Sequence, residues 1–165
     1  MRIRLLNYSA PQAVKALENN IIDFAIVSTP VLVHKHMHQE KLVSYDEILL
    51  GGTKYKQFAQ QVHYLEDISE MPLIGLCEGS STHTHYSRFF MEHDLPFEPD
   101  MEAAMTDQVL PMITHNLGIG FYPKSLALEA IEKELVFPIE LTEPLPNRDV
   151  VVITNNHTPI NSAAR

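Results

Sequence analysis

The chain has 165 residues, of which 45% are hydrophobic, a composition typical of one globular domain or of one domain with two small lobes. Its formal net charge of −9 disfavours direct binding of these residues to DNA or RNA, because phosphate backbones repel negative charge. No apolar run reaches the roughly 18 residues that predict a transmembrane helix, and the N-terminus lacks the apolar stretch of a signal peptide.

The first part of the chain predicts two strands with a helix between them. Residues 2–6 ("RIRLL") alternate polar and apolar side chains, a capping-box spacing over residues 9–12 predicts a helix start, and residues 21–28 ("IIDFAIVS") resemble a buried strand. Strand, helix and strand in this order predict a parallel βαβ unit. A further alternating stretch ends at Gly51 and Gly52, where we expect a bend between two lobes.

The second part continues the alternation of strands and helices. Predicted strands cover residues 71–77, 96–103, 117–123, 135–141 and 148–154, and predicted helices cover residues 82–93, 106–115 and 123–135. Asn116 can take the left-handed position after the second of these helices. Thr158 and Pro159 predict the start of one more helix. Taken together, these elements predict an α/β protein.

Two histidine clusters raise the question of a metal site. His34, His36 and His38 occupy alternate positions in "HKHMHQE", and on a strand the outer two would lie roughly 13 Å apart, too far to share one ion. His83 and His85, near a predicted helix start, point to different faces. No C-x-x-C or H-E-x-x-H pattern accompanies them. We therefore favour solvated loop histidines over a zinc site, and predict no metal and no cofactor.

One cysteine is present, so no intrachain disulfide can form, which fits the cytoplasm. Cys77 ends a predicted buried strand, and the only nearby candidate base in sequence is His83. A free cysteine is more often a small core residue, and we favour that interpretation over a catalytic nucleophile. The sequence contains no G-x-S-x-G elbow and no phosphate-binding glycine loop.

Hydroxyl side chains stand where an α/β sheet binds ligands. Ser28 and Thr29 follow the carboxyl end of a strand, and "EGSST" and Thr106 precede predicted helices. Free N–H groups at a helix N-terminus, together with hydroxyls, suit a small anion such as a carboxylate. Ordinary helix capping explains the same residues, so this pattern alone leaves both interpretations open.

The order of these segments is similar to one known family. "VKALENNIIDFAIVSTP", "MPLIGLCEGSSTHTHYSRFF", "TDQVLPMITHNLGIGFYPKSL" and "RDVVVITNNHTPINSAAR" resemble successive segments of the effector-binding domain of bacterial LysR-type transcriptional regulators. The third segment is the most specific of the four. Each motif is loose, but their order and spacing agree over nearly the whole chain.

The resemblance implies a two-lobed α/β fold like the type 2 periplasmic binding proteins, with two crossover strands and a ligand in the cleft. Lobe one would hold about residues 1–50 and 148–165, and lobe two about residues 52–146, with "LLGG" and "VVVIT" as the crossovers. The implied site residues are Ser28, Thr29, Gly79, Ser80, Ser81, Thr82, His83, Thr106 and Phe121. In this family the domain is not an enzyme, because the ligand shifts the lobes and no bond is made or broken.

Some family features are not in this sequence. The winged helix-turn-helix is absent, so DNA contact is expected only through an N-terminal domain that is missing here. The first strand and helix of lobe one are also missing, and Asn116 replaces a usual glycine. We expect a small anionic effector, a cytoplasmic homodimer or homotetramer and no membrane partner. A transporter's solute-binding protein of the same fold, or an enzyme that uses Cys77, are the alternatives.

Overall fold

The computed structural model describes residues 3–156, so the expected helix start at Thr158 lies outside the described residues. The helices within this part are α1 (Ala10–Glu18), α2 (Leu65–Ser69), α3 (Ser81–Met91), α4 (Val109–Thr114) and α5 (Lys124–Glu132). Its strands are β1 (Phe24–Ser28), β2 (Met37–Tyr45), β3 (Glu47–Gly52), β4 (Leu73–Leu76), β5 (Met101–Ala103), β6 (Ile119–Pro123), β7 (Val136–Ile139) and β8 (Arg148–Asn155). The predicted α/β class is confirmed.

A three-stranded sheet has the order β1-β8-β2, and both of its pairings are antiparallel. Helix α1 packs on one face, where Val14 and Leu17 meet Ala25, Val151 and Ile153 in one buried cluster. This helix begins with Pro11 in its first turn and with the capping box that the sequence predicted. Its apolar side chains therefore hold the sheet that forms one wall of the cleft described below.

The strand expected at residues 2–6 is wrong for the described residues 3–6, which form neither strand nor helix. The parallel βαβ unit is wrong as well, because β1 pairs with β8 in antiparallel orientation. Ile3 and Leu5 are 75% and 93% exposed. Alternation of apolar residues describes the faces of a strand, but a strand also needs a partner backbone, and residues 3–6 find none within the described part.

A five-stranded mixed sheet has the order β5-β4-β6-β3-β7. Strand β4 is parallel to β5 and β6, whereas β3 is antiparallel to β6 and β7. Neighbouring residues of one strand face opposite sides, so Leu49 joins a cluster around Phe90 while Leu50 joins a second cluster around Ile113. The sheet is buried on both faces, as the apolar runs of its strands predicted.

The chain passes between the two sheets at Asp46, between β2 and β3, and again over residues 140–147, between β7 and β8. The bend expected at Gly51 and Gly52 is therefore wrong, since both residues pair inside the five-stranded sheet. A Cβ atom on Gly52 would lie 2.3 Å from the carbonyl oxygen of Ile113. This glycine allows β3 to pass close to the end of α4, which explains its presence without a bend.

The helices of the second part start close to their predicted positions. Helix α3 begins at Ser81 with Ser80 as its N-cap, and Thr106 begins a 3₁₀ turn that runs directly into α4. Asn116 has a φ of 60°, which confirms the left-handed position. Its side-chain Oδ1 also accepts a hydrogen bond of 2.8 Å from the Lys54 N–H. Within residues 3–156, no helix is long and apolar enough to cross a membrane.

Replacing Gly52 by Ala should destabilise the protein by about 1–3 kcal/mol, because the new methyl group meets the backbone of α4. Gly52 has a φ of −73°, which alanine adopts without strain, so the loss would report the contact alone. Urea unfolding of the two proteins measures the difference. A variant as stable as the wild type would contradict the close approach of β3 to α4.

Candidate functional site

A cleft of about 1020 Å³ is lined by residues from both sheets. The three-stranded sheet contributes Ser28, Tyr45 and Arg148, and Tyr8 approaches from the segment before α1. From the other sheet and its helices come the start of α3, the turn at Thr106 and the beginning of α5. A volume in this range suits a small-molecule ligand. Because the walls belong to different sheets, a ligand in this cleft would contact both at once.

Five of the predicted site residues line the cleft: Ser28, Ser80, Ser81, Thr82 and Thr106. The Ser80 hydroxyl accepts a 3.1 Å hydrogen bond from the His83 N–H and so caps α3. The N–H groups of Ser81 and Thr82 occupy the first turn, where a helix offers no internal acceptor. These donors and the positive end of the helix dipole face the same cavity, an arrangement that favours negative charge.

The remaining four predicted residues do not line the cleft. The carbonyl and hydroxyl oxygens of Thr29 accept hydrogen bonds from β8, and Gly79 is an exposed loop residue with a φ of +84°. The His83 ring contacts Ser87 and the edge of Phe97. Phe121 is a core residue that stacks on Tyr86 with ring centres 4.2 Å apart. Closeness in sequence to the cleft residues thus did not bring these four side chains into the cavity.

A buried ion pair stands beside the start of α3. Glu47 is the first residue of β3 and Arg148 the first residue of β8, so the pair joins the two strands that follow the passages between the sheets. The Arg148 Nη1 donates to Glu47 Oε1 at 3.1 Å and to Thr82 Oγ1 at 3.0 Å, while its Nε donates to the Thr29 carbonyl at 2.8 Å. The two residues are only 6% and 3% exposed.

Two tyrosines complete the surroundings of this ion pair. The Tyr86 hydroxyl donates to Glu47 Oε2. Burial, followed by the charge of Glu47, raises the pKa of Tyr86 well above its usual value. Burial also raises the pKa of Tyr45, although the Arg148 charge opposes this shift. Both phenols therefore remain neutral hydrogen-bond donors at ordinary pH.

His85 packs close to the same arginine. Burial is the main cause that lowers its pKa to about 4, and the charges of Arg148 and Arg88 add to this, while the Pro146 carbonyl opposes it. Its Nε2 is buried without a hydrogen-bond partner. The ring is therefore neutral at pH 7.

No local pattern in the sequence marks Glu47 and Arg148, which lie 101 positions apart. Neither belongs to a motif, and each merely begins an apolar strand. A charged residue at the start of a buried strand is a weak sign of a buried partner, because such a charge is costly without one. Their contact could be predicted only from the order of the strands in the two sheets, which the sequence does not show.

The first histidine cluster falls partly in a loop and partly on a strand. Contrary to the expected loop, β2 begins at Met37, so His38 is an exposed strand residue. His34 Nε2 lies 2.9 Å from Glu18 Oε1, and its ring stacks with that of His36. No group of three His, Cys, Asp or Glu residues in the described part of the chain is arranged to hold a metal ion.

A family model described as the LysR substrate binding domain matches residues 1–165. The chain belongs to this family. Its fold is that of the two-lobed effector-binding domains of LysR-type regulators, which are similar to type 2 periplasmic binding proteins, as the sequence predicted. No curated protein matches the sequence.

Solved structures of the LysR family resemble the chain at low sequence identity. The regulatory domain of CcmR from Synechocystis PCC6803, in complex with 2-PG, is 13% identical with a TM-score of 0.80, and the match covers 94% of this chain and 74% of that one. The effector-binding domain of QuiR, in complex with shikimate, is 15% identical with a TM-score of 0.81, covering 95% and 73%. The bromide-bound regulatory domain of HypT from Salmonella typhimurium is 16% identical with a TM-score of 0.75, covering 94% and 74%.

Removing one partner of the buried ion pair should cost more than removing both. Arg148→Met leaves the Glu47 carboxylate buried without its cation and should destabilise the protein by about 3–5 kcal/mol. Adding Glu47→Gln should recover part of this loss, because the unpaired charge disappears. A double-mutant cycle measured by urea unfolding gives the coupling. Additive losses would show that the two groups do not stabilise each other.

The stability of the protein should fall as the pH drops from about 6.5 to about 4, partly because of His85. In this window the unfolded chain binds a proton that the folded protein does not, which favours unfolding. The effect should be on the order of 1–3 kcal/mol after allowance for partial exposure. Urea unfolding as a function of pH should show a weaker dependence in His85→Gln than in the wild type, whereas His38→Gln, at an exposed site, should match the wild type. Equal pH dependence in all three would contradict this assignment.

Proposed function

We propose that the chain senses a small anionic effector for a LysR-type transcriptional regulator and holds it in the cleft between the two sheets. The observation that carries this proposal is the convergence of the α3 N-terminus, the Thr106 turn and Arg148 on one cavity lined by both sheets. Three similar structures contain a bound small molecule or ion, which is 2-PG, shikimate or bromide. The cleft of this chain has the size and the donor groups for a ligand of that kind.

The proposed action is a shift in the arrangement of the two lobes. A ligand that contacts both sheets favours the arrangement in which both sets of contacts form, by the difference in its affinity for the two arrangements. We place lobe one at about residues 1–50 with 148–165 and lobe two at about 52–146, a division that the separate sheets support, although the chain changes sheet at Asp46. No bond is made or broken in this action.

The partners of the intact regulator follow from its family. We infer a homodimer or homotetramer in the cytoplasm, and DNA binding through a separate domain, since the net negative charge of this chain disfavours binding to the phosphate backbone of DNA. A catalytic role has less support. His83 Nδ1 lies 3.2 Å from Ser87 Oγ, and within residues 3–156 no side chain is hydrogen-bonded to the Cys77 thiol. The described part of the chain therefore shows no base hydrogen-bonded to this thiol, an arrangement typical of a cysteine nucleophile.

Thr106→Ala and Thr82→Ala should weaken effector binding without unfolding the protein. A thermal-shift screen with benzoate, succinate, glutamate and inorganic phosphate should give at least one anion that raises the unfolding midpoint by several degrees when present at about 100 times its Kd. The shift should shrink in both variants, because each loses a hydroxyl that lines the cleft.

Thr84→Ala is the matched control for this screen. Thr84 lies on the same helix, but its hydroxyl donates to the Ser80 carbonyl and it does not line the cleft. We expect this variant to respond to the anion as the wild type does. Equal shifts in all four proteins would rule out the assigned site, and the absence of any shift would count against effector sensing itself.

A further inference from the structure

Arg148 has hydrogen-bond donors that the protein does not use. A guanidinium carries five N–H groups. One on Nε bonds the Thr29 carbonyl, and the Nη1 group bonds Glu47 and Thr82. No residue in the described range 3–156 accepts a hydrogen bond from Nη2. Yet the side chain is only 3% exposed and belongs to the wall of the cleft. An almost fully buried cation therefore presents a free donor group to the cavity.

The partners of Arg148 leave this part of the cleft with an excess of donors. The two oxygens of Glu47 are occupied by Arg148 and Tyr86, so the carboxylate has no oxygen left without a hydrogen bond. Because the Thr82 oxygen accepts from Arg148, its own O–H proton is available to a ligand. The first N–H groups of α3 add to these donors. The inner wall thus fits a group that only accepts hydrogen bonds.

The other charged residues that line the cleft act more weakly. Asp46, Asp107 and Lys124 are all exposed, so water and salt screen their charges. Glu47 and Arg148 are the charged lining residues that are buried within the described part of the chain. The preference of this cleft for one ligand charge over the other should therefore depend on the buried Glu47 and Arg148. The exposed carboxylates of Asp46 and Asp107 should have less effect on it.

We propose that Arg148 selects the charge of the effector, with Nη2 donating to a carboxylate oxygen while Glu47 and Thr29 hold the guanidinium in place. This inference rests on the proposed function, because it concerns the ligand of the same cleft. It narrows the effector to small organic acids bound through the carboxylate. It also connects binding to the fold, since Arg148 contacts Thr29 beside one sheet and Thr82 on the helix of the other.

The matching primary amide of such an acid should bind poorly. A hydrogen bond from a guanidinium to a carboxylate is roughly twice as strong as one to a neutral carbonyl. The amide NH₂ would also face N–H and O–H donors and leave them unsatisfied, which carries its own penalty. We therefore expect the acid to bind at least about tenfold more tightly than its amide.

Calorimetric titration of matched pairs tests this preference: benzoate and benzamide, succinate and succinamide, nicotinate and nicotinamide, and salicylate and salicylamide. The wild type should prefer the acid in every pair that binds. The double variant Glu47→Gln with Arg148→Met, which removes the ion pair as a unit, should lose the preference. Equal binding of acid and amide by the wild type, or a preference that survives in the double variant, would overturn the role of Arg148 while leaving effector sensing intact.

A second measurement needs no variant, in case the double substitution prevents folding. In ¹⁵N-labelled wild-type protein, the side-chain N–H signals of Arg148 should shift on addition of the preferred acid and stay unchanged with its amide. Arg88, exposed on α3, is the internal control and should not shift with either. An acid that binds without moving the Arg148 signals would overturn the inference. A panel in which neither acids nor amides bind would overturn the proposed function together with it.

Discussion

The ion pair of Glu47 and Arg148 is the interaction on which the arrangement of the two sheets depends. Each residue begins a strand that follows a passage of the chain from one sheet to the other. A charge buried at such a place is costly without an opposite charge and further hydrogen bonds to stabilise it. Thr29, which follows β1, and Thr82 and Tyr86, which both lie on α3, provide hydrogen bonds to the pair. The ion pair thus connects the first residues of β3 and β8 to α3 and to the residue that follows β1.

Burial is the main cause of the shifted pKa values of Tyr86 and His85, and the ion pair adds to both shifts. The carboxylate of Glu47 contributes to the raised pKa of Tyr86, and the cation of Arg148 contributes to the lowered pKa of His85. Both neighbours are kept neutral, which leaves the two strand-initial residues as the fixed charges of the junction. A neutral His85 also avoids placing a second cation beside Arg148, where it would weaken the attraction to Glu47.

Local patterns in the sequence predicted the class of fold and most of its elements. The helix starts near Thr82 and Thr106 and the left-handed Asn116 follow from residue chemistry within a few positions, which is why they could be predicted. The parallel βαβ unit failed because apolar alternation describes the faces of a strand and not its neighbours. The bend predicted at Gly52 is wrong because a sequence does not show which backbone passes close to a glycine.

The residues of the candidate site also differ in whether a local sequence pattern could predict them. Hydroxyls at helix starts were found because capping and anion binding use the same local geometry. The pairing of Glu47 and Arg148 could not be predicted, because it joins strands of two different sheets and depends on the order of strands in space. The family resemblance predicted a cleft, but it also predicted Phe121 as a ligand-binding residue, whereas Phe121 packs in the core. Contacts between side chains that are distant in sequence could therefore be predicted neither from local patterns nor from the family resemblance.

Stability alone does not explain a buried ion pair in this position. Apolar residues of similar volume are often equally or more stabilising than a buried pair, because they avoid the cost of removing two charges from water. An apolar pair at the junction of β3 and β8 would also leave no donor in the wall of the cleft. A guanidinium can bind a carboxylate of the protein on one side and still present N–H groups on the other, because its donors fan out in one plane. Placing that group where the chain passes between sheets gives one residue contact with both walls and with whatever the cleft holds.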